Sequence, residues 1–293
     1  MTHSVPILAL AFACLFGQAT FAETGAGQET LAELLAGEQI DFQVPHSEDL
    51  GSPITNGDVL DTPETRIIAT YAANGGRLYV FRRSKAQGSW RGAEVRWPEA
   101  SETACKGGSI TDIAVANGTI YLTGHINPSA ACTLVLAETL EAQDTLYGWP
   151  VAQFQDGRIV YQHSEIHFAP THYAELSIYD PVKRQHHQLY PPKPETPLRR
   201  HYLERVRAAY ARCCVDHPPA ACGSEFSNHN HPCNPEFFES SLGEVVVDDA
   251  TDSLTFRVRY EDIVGTEDVM YVVRHLREAP EVRETAAAGQ RPP

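Results

Sequence analysis

Residues 149–192 read WPVAQFQDGRIVYQHSEIHFAPTHYAELSIYDPVKRQHHQLYPP and make one complete β unit. An apolar strand turns at Asp156-Gly157 and continues through Ile159, Val160 and Tyr161 into a polar strand end that carries His163, Glu165 and His167. A loop through Ala169-Pro170-Thr171-His172 leads to the strand 174–179, which ends at Asp180-Pro181. Asp-Gly accepts positive φ and proline cannot donate to a ladder, so both dipeptides between alternating apolar runs are turn chemistry.

Fainter copies of this unit recur. Residues 67–80, 110–122 and 243–256 each hold a small apolar strand, a turn with Asn or Asp, and a second strand with an aromatic residue. The first three units begin about 40 residues apart, a period associated with four-stranded propeller blades. The fourth comes late because residues 193–238 interrupt the series.

The phrase from Asp156 to Tyr161 followed by Ala174 to Pro181 resembles the blade motif of bacterial periplasmic β-propellers of the TolB and WD40-like kind. The resemblance covers residues 66–190 and 243–277, without a Gly-His or Trp-Asp signature. It implies an all-β, propeller-like body that serves as a binding platform, as such propellers commonly do. The alternative fold is an irregular β-sandwich, whose hairpins also recur at short intervals.

Around the body, residues 1–22 read as an export signal. An apolar run from Val5 to Phe16 is followed by Thr20-Phe21-Ala22, whose Thr20 and Ala22 are the small residues three and one before a cleavage site ahead of Glu23, although the segment has no Lys or Arg. The run is shorter than the roughly 20 residues a bilayer needs, and no later stretch reaches that length. Lipidation at Cys14 is the alternative, poorly matched by Phe12. Residues 23–63 read as an acidic lead-in with a short helix over 29–35 and a turn-rich connection from Gln43 onward, marked by Ser52-Pro53 and Asn56-Gly57. Residues 278–293 have no apolar pattern and read as a disordered tail.

The insertion opens with Pro194 and Pro197 and predicts a helix over 198–214, with an apolar stripe of Leu198, Tyr202, Val206, Ala209, Tyr210 and Cys213. Arg199, Arg200, Arg205, Arg207 and Arg212 occupy its other faces. Once the signal is removed, Cys105, Cys132, Cys213, Cys214, Cys222 and Cys233 remain, an even set that favours disulfides in an exported chain. Cys105 and Cys132 fall within one unit and are expected to pair. A bond between the neighbours Cys213 and Cys214 is strained, so each is expected to pair outward, with Cys222 and Cys233.

The formal charge of −15 disfavours nucleic acid and anionic lipid as partners. The sharpest polar constellation is His163-x-Glu165-x-His167, whose side chains share one strand face at about 7 Å steps. With His172 across the hairpin this is a donor set for Zn²⁺ or Fe²⁺ if the strand is bulged, and a solvated rim if it is straight. A second group, His229, His231 and Cys233 with His217, suits zinc or copper only if Cys233 is a free thiolate. No Gly-x-Ser-x-Gly, phosphate loop, dinucleotide fingerprint, EF-hand or HExxH is present. Asn117-Gly118-Thr119 matches a glycosylation sequon and also a tight turn. Trp90, Trp97 and Trp149 are candidates for a sugar-stacking surface or for blade cores.

These readings combine into a periplasmic or extracellular, disulfide-stabilised binding or scaffolding protein with an unidentified protein or small-molecule ligand and no cofactor. The alternatives are a metal-dependent enzyme built on His163, Glu165 and His167, and a lipid-anchored envelope protein.

Overall fold

The computed structural model describes residues 42, 45–50, 54–72, 76–86, 88–99, 105, 109–127, 130–163, 175–191, 239–262, 265–277 and 281–285, with residues 30, 32, 33, 200, 204, 208, 211 and 212 besides. The signal segment with Cys14, the residues Glu165, His167 and His172, and Cys213, Cys214, Cys222, Cys233, His217, His229 and His231 lie outside them. No helix among the described residues is long and apolar enough to cross a membrane.

The fold is all-β and propeller-like. Each of four antiparallel sheets is a meander in which consecutive strands are neighbours. Sheet 1 holds β1 (Ile54–Asp61), β2 (Thr65–Ala72), β3 (Arg77–Ser84) and β4 (Trp90–Val95). Sheet 2 holds β5 (Ser109–Ala116), β6 (Thr119–Asn127), β7 (Ala130–Leu136) and β8 (Ala142–Leu146). Sheet 3, the opening stretch of sequence, holds β9 (Gly148–Gln153), β10 (Ile159–His163), β11 (Leu176–Asp180) and β12 (Gln185–Tyr190). Sheet 4 holds β13 (Glu239–Asp248), β14 (Ser253–Asp262), β15 (Gly265–Arg274) and β16 (Glu281–Thr285). A sandwich would have two sheets, so that alternative is set aside.

The sheets pack face to face in chain order. Ile67, Ala69, Leu78 and Val80 of sheet 1 meet Ile113, Ile120 and Leu122 of sheet 2. On sheet 2's other face, Tyr121, Val135 and Leu146 meet Ile159, Tyr161 and Tyr179 of sheet 3. Val160, Leu176 and Ile178 then meet Leu254, Phe256, Val258 and Tyr271 of sheet 4. Because side chains alternate across a strand, each interior sheet contributes two apolar faces, which explains why β7 is buried along its whole length.

A repeated irregularity ties the four sheets together more firmly than sequence likeness does. In every sheet the first strand bulges against the second, between Thr55 and Asp58, Ile110 and Asp112, opposite Val160 and Tyr161, and between Gly243 and Val245. A bulge bends the strand and raises its twist.

Three sequence expectations are corrected. Residues 43–63 are not simply a connection. They contain α1 (Ser47–Leu50) and the whole of β1. Asn56-Gly57 marks the β1 bulge rather than a turn, and a Cβ at Gly57 would lie 2.8 Å from the carbonyl oxygen of Ala69. The unit 67–80 therefore comprises strands two and three of its sheet, one strand out of phase with the other three units. Finally, residues 281–285 of the tail are β16, held by backbone pairing to β15 from Met270 to Arg274. Backbone hydrogen bonds need no apolar pattern, so composition did not reveal this edge strand.

The expected Cys105–Cys132 disulfide is present, with Cα atoms 5.7 Å apart, and both residues are buried in the joint between sheets 1 and 2. In the lead-in, Ala32 and Glu33 are helical, and Thr30 and Glu33 form a reciprocal capping box: Glu33 N–H donates to Thr30 Oγ1 at 3.2 Å and Thr30 N–H to Glu33 Oε2 at 2.7 Å. Of the insertion, residues 200, 204, 208, 211 and 212 are described, and all five are helical and exposed.

Candidate functional site

The polar cluster at the joint of sheets 2 and 3 grows out of strand register. Tyr161 pairs with Ser177 across β10 and β11, while Tyr179 pairs with His186 across β11 and β12. Directly opposed residues share a face, so these side chains and His163, two residues beyond Tyr161, all point toward sheet 2. Sheet 2 answers with Asp144 on β8.

Two acid–imidazole–hydroxyl arrays result. In the first, His163 Nε2 and Ser177 Oγ share a hydrogen bond of 2.7 Å, and Nδ1 faces Glu175 Oε2 at 3.6 Å. In the second, His186 Nδ1 meets the Tyr161 hydroxyl at 3.1 Å and Nε2 meets Asp144 Oδ2 at 3.2 Å. The second array crosses from sheet 3 to sheet 2. A carboxylate only accepts, so Nε2–H is the donor to Asp144, and neutral His186 then accepts from Tyr161 at Nδ1. Tyr161 stacks on His163 with ring centroids 5.0 Å apart.

Burial governs the electrostatics. It lowers the pKa of His163, opposed by the charge of Glu175 and assisted by His186. It also raises the hydroxyl pKa of Tyr161, against a hydrogen bond with Ser177, and that of Tyr179, where Asp144 adds to the rise. The site therefore favours a neutral His163 stacked on a neutral Tyr161.

The order Glu175–His163–Ser177 is that of a nucleophilic array. Ser177, however, is only 2% exposed in the middle of β11, with strands on both sides. Its hydroxyl faces the joint, and no helix N-terminus or strained elbow presents it to a substrate. The arrangement binds strands to one another.

Of the residues singled out from sequence, His163 falls in this cluster. Its described partners come from elsewhere: Glu175 and Ser177 from the facing strand, with His186 and Asp144 in the adjoining array. Sequence reasoning missed all four, although Tyr161-x-His163 antiparallel to Glu175-x-Ser177 is a readable register. No group of three or more His, Cys, Asp or Glu placed to hold a metal occurs among the described residues. Asn117 sits in the turn before β6 at φ 46°, and its Nδ2 donates to the Asp156 carbonyl across the joint at 3.2 Å. Trp90 and Trp97 are core residues, 1% and 7% exposed.

The next joint carries a second charged cluster. Arg158, 4% exposed, donates to Asp156 at 2.9 Å and to Asp252 of sheet 4 at 2.6 Å, while its guanidinium lies 4.4 Å from the centre of the Phe154 ring. Arg277 reaches Asp156 at 3.0 Å. Burial opposes ionisation of Asp156, but the bonds from Arg158 and Arg277 outweigh it and hold the carboxyl below its usual range. This network also joins sheets.

No protein-family model matches the chain, and no curated protein matches it. Among solved structures, the β-propeller domain of the Trilobed protease from Pyrococcus furiosus is similar at 10% identity and a TM-score of 0.39, over 80% of this chain and 57% of that one. An acylaminoacyl peptidase from Pyrococcus horikoshii is similar at 9% identity and a TM-score of 0.38, over 82% of this chain and 33% of that one. Dipeptidyl peptidase 4 from Porphyromonas gingivalis follows at 7% identity and a TM-score of 0.37, over 81% of this chain and 26% of that one. The chain thus spans between about a quarter and somewhat over half the length of these proteins, and the likeness is a weak and partial one of propeller kind.

Proposed function

We propose that the mature chain is an exported, disulfide-stabilised, propeller-like module that binds or scaffolds a partner and performs no chemistry of its own. The observation that carries this reading is the burial of Ser177: among the described residues, the array with the order of a hydrolase triad has its hydroxyl inside a sheet joint, 2% exposed. Export agrees with the signal-like residues 1–22 and with the Cys105–Cys132 disulfide, since such bonds persist in oxidising compartments.

The test is a broad hydrolase and oxidase screen of purified mature protein, together with labelling by a fluorophosphonate probe. The reading expects neither turnover nor label. Turnover that disappears in His163→Ala would overturn it.

The metal-dependent alternative keeps one supporting observation. His163 Nδ1 makes no hydrogen bond among the described residues and faces a carboxylate, the polarity a cation would need. Elemental analysis of tag-free exported protein decides: stoichiometric zinc or iron lost in His163→Ala would establish it.

A further inference from the structure

The two acid–imidazole–hydroxyl arrays at the joint of sheets 2 and 3 are linked to each other. Ser177, which meets His163 in the first array, also hydrogen-bonds the Tyr161 hydroxyl of the second. The links therefore run without a break from Asp144 on β8 through His186, Tyr161 and Ser177 to His163, whose other ring nitrogen faces Glu175 at the rim. Both imidazoles are held by stacking, with ring centroids 5.0 Å apart for Tyr161 and His163 and 4.7 Å apart for Tyr179 and His186.

Counting protons fixes the direction of every link. The Asp144 carboxylate only accepts, so His186 donates from Nε2 at 3.2 Å, and its bare Nδ1 accepts from Tyr161 at 3.1 Å. A hydroxyl has one proton to give. Tyr161 has given its own to His186, so its oxygen accepts from Ser177. Ser177 has then spent its proton as well, and its oxygen accepts from His163 Nε2–H at 2.7 Å. Neutral His163 is left with a bare Nδ1, 3.6 Å from Glu175 Oε2. This is the reverse of a hydrolase triad, in which the imidazole takes the serine proton at Nε2 and turns Nδ1–H to the acid.

We propose that these hydrogen bonds form a tautomer relay, in which Asp144 on sheet 2 decides which ring nitrogen of His163 carries the proton at the rim of sheet 3. In this direction the rim presents two acceptors, Nδ1 and the Glu175 carboxylate, on side chains 31% and 42% exposed, and the pair is open to a hydrogen-bond donor from outside. In the opposite direction Nδ1–H points at Glu175 and the pair closes on itself. The Asp144 end sets the direction because both of its oxygens are committed: Oδ1 accepts from Thr145 N–H at 2.8 Å while Oδ2 serves His186. An asparagine there keeps its oxygen on Thr145 N–H, since a donor cannot face a donor, and turns its amide to His186. His186 then accepts at Nε2 and donates from Nδ1, Tyr161 donates to Ser177, and Ser177 donates to His163 Nε2. The His163 proton moves to Nδ1 without any change of charge along the relay. This coupling goes beyond the binding-module reading, holds whatever the module binds, and is read out separately from the activity screen.

The test is two-bond ¹H–¹⁵N correlation spectroscopy of ¹⁵N-labelled mature protein at pH 8, where a histidine of ordinary pKa, about 6.5, is neutral. Such spectra distinguish a protonated ring nitrogen from a bare one, and the His163 signals are assigned by their loss in His163→Gln. The parent should show His163 protonated at Nε2, and Asp144→Asn should move the proton to Nδ1. Ser177→Ala removes the central link, so Ser177→Ala and Ser177→Ala/Asp144→Asn should give the same His163 pattern. A proton on Nδ1 in the parent overturns the proposal, and so does an unchanged His163 in Asp144→Asn or a shift that persists when Ser177 is replaced. Circular dichroism checks the fold of each variant, and Tyr161→Phe, which keeps the ring and removes only the hydroxyl, makes the same break if Ser177→Ala does not fold. The parent spectrum tests the direction of the relay with no substitution in it.

Discussion

Sheet 1 and sheet 4 are built alike, four strands with a bulged first strand, yet their outer faces have opposite fates. At alternate positions sheet 1 places Ile68, Tyr79, Phe81 and Trp90 outward, and the lead-in closes over them. Gly92 leaves the space for this: a Cβ there would lie 2.7 Å from Phe42 Cγ. Beside it α1 delivers Asp49, fully buried, to the Tyr79 hydroxyl at 2.7 Å and to Arg77 at 3.0 Å. Sheet 4 places Thr255, Arg257 and Arg274 at the corresponding outward positions. The difference shows that the pleat sets which residues face out, while their chemistry decides whether the lead-in closes over an end.

The comparison is broken most directly at Asp49. Asp49→Ala leaves the buried Tyr79 hydroxyl without its acceptor and Arg77 with Glu48 alone, at 3.4 Å, and an unsatisfied buried polar group costs up to about 3 kcal/mol. Urea unfolding should show that loss as a lower midpoint, and Asp49→Asn should recover part of it. Next in size is Phe42→Ala, expected to cost about 2 kcal/mol because the ring is packed but only partly buried. If either variant is as stable as the parent, the lead-in does not seal sheet 1 and the contrast between the two ends fails.

How much of this was legible follows the same division. Sheet 3 could be read directly, since Asp156-Gly157 and Asp180-Pro181 stand at its hairpins and its strands alternate. Sheet 1 was misphased because Asn-Gly marks any place where backbone must approach backbone, and at Gly57 that place is a bulge inside a strand. β16 has a single apolar residue, Val282, and is held by main-chain pairing that composition does not display. At the polar cluster the sequence pointed to His163 and to its neighbours along the strand. The described contacts instead come from β8, β11 and β12, up to 42 residues away along the chain in the case of Asp144 and His186. Contacts made across strands are set by register, which periodicity within one strand does not encode.

The joint between sheets 2 and 3 lies between the two extremes, being packed yet polar, and pH sharpens its place in the comparison. Burial puts the folded pKa of His163 below its unfolded value, so the unfolded chain binds more protons in the acidic range. Stability from this residue is therefore fully present above the ordinary histidine value, about 6.5, and is lost as pH falls below it toward the folded value. His163→Gln should flatten that part of the stability profile, measured as urea midpoints at several pH values below neutrality, with a smaller effect at neutral pH than either sheet 1 variant. A profile as steep as the parent's would show that the acid sensitivity lies elsewhere.

The smallest effect is expected at sheet 4, and its smallness is what makes it informative. Val246 already stands in water over half its surface, and Arg257 acts on Asp268 only through its charge, near the surface. Val246→Ser and Arg257→Ser should therefore change unfolding stability by less than about 0.5 kcal/mol each. A face kept for folding would behave otherwise: truncation there would cost what Phe42→Ala costs at the other end. If the two serine variants are as stable as the parent while Phe42→Ala is not, residues of the same alternating pattern serve the chain's own packing at one end and not at the other. Should Arg257→Ser cost as much as Phe42→Ala, the arginine seated over Gly243 is a structural clamp and sheet 4 is sealed after all.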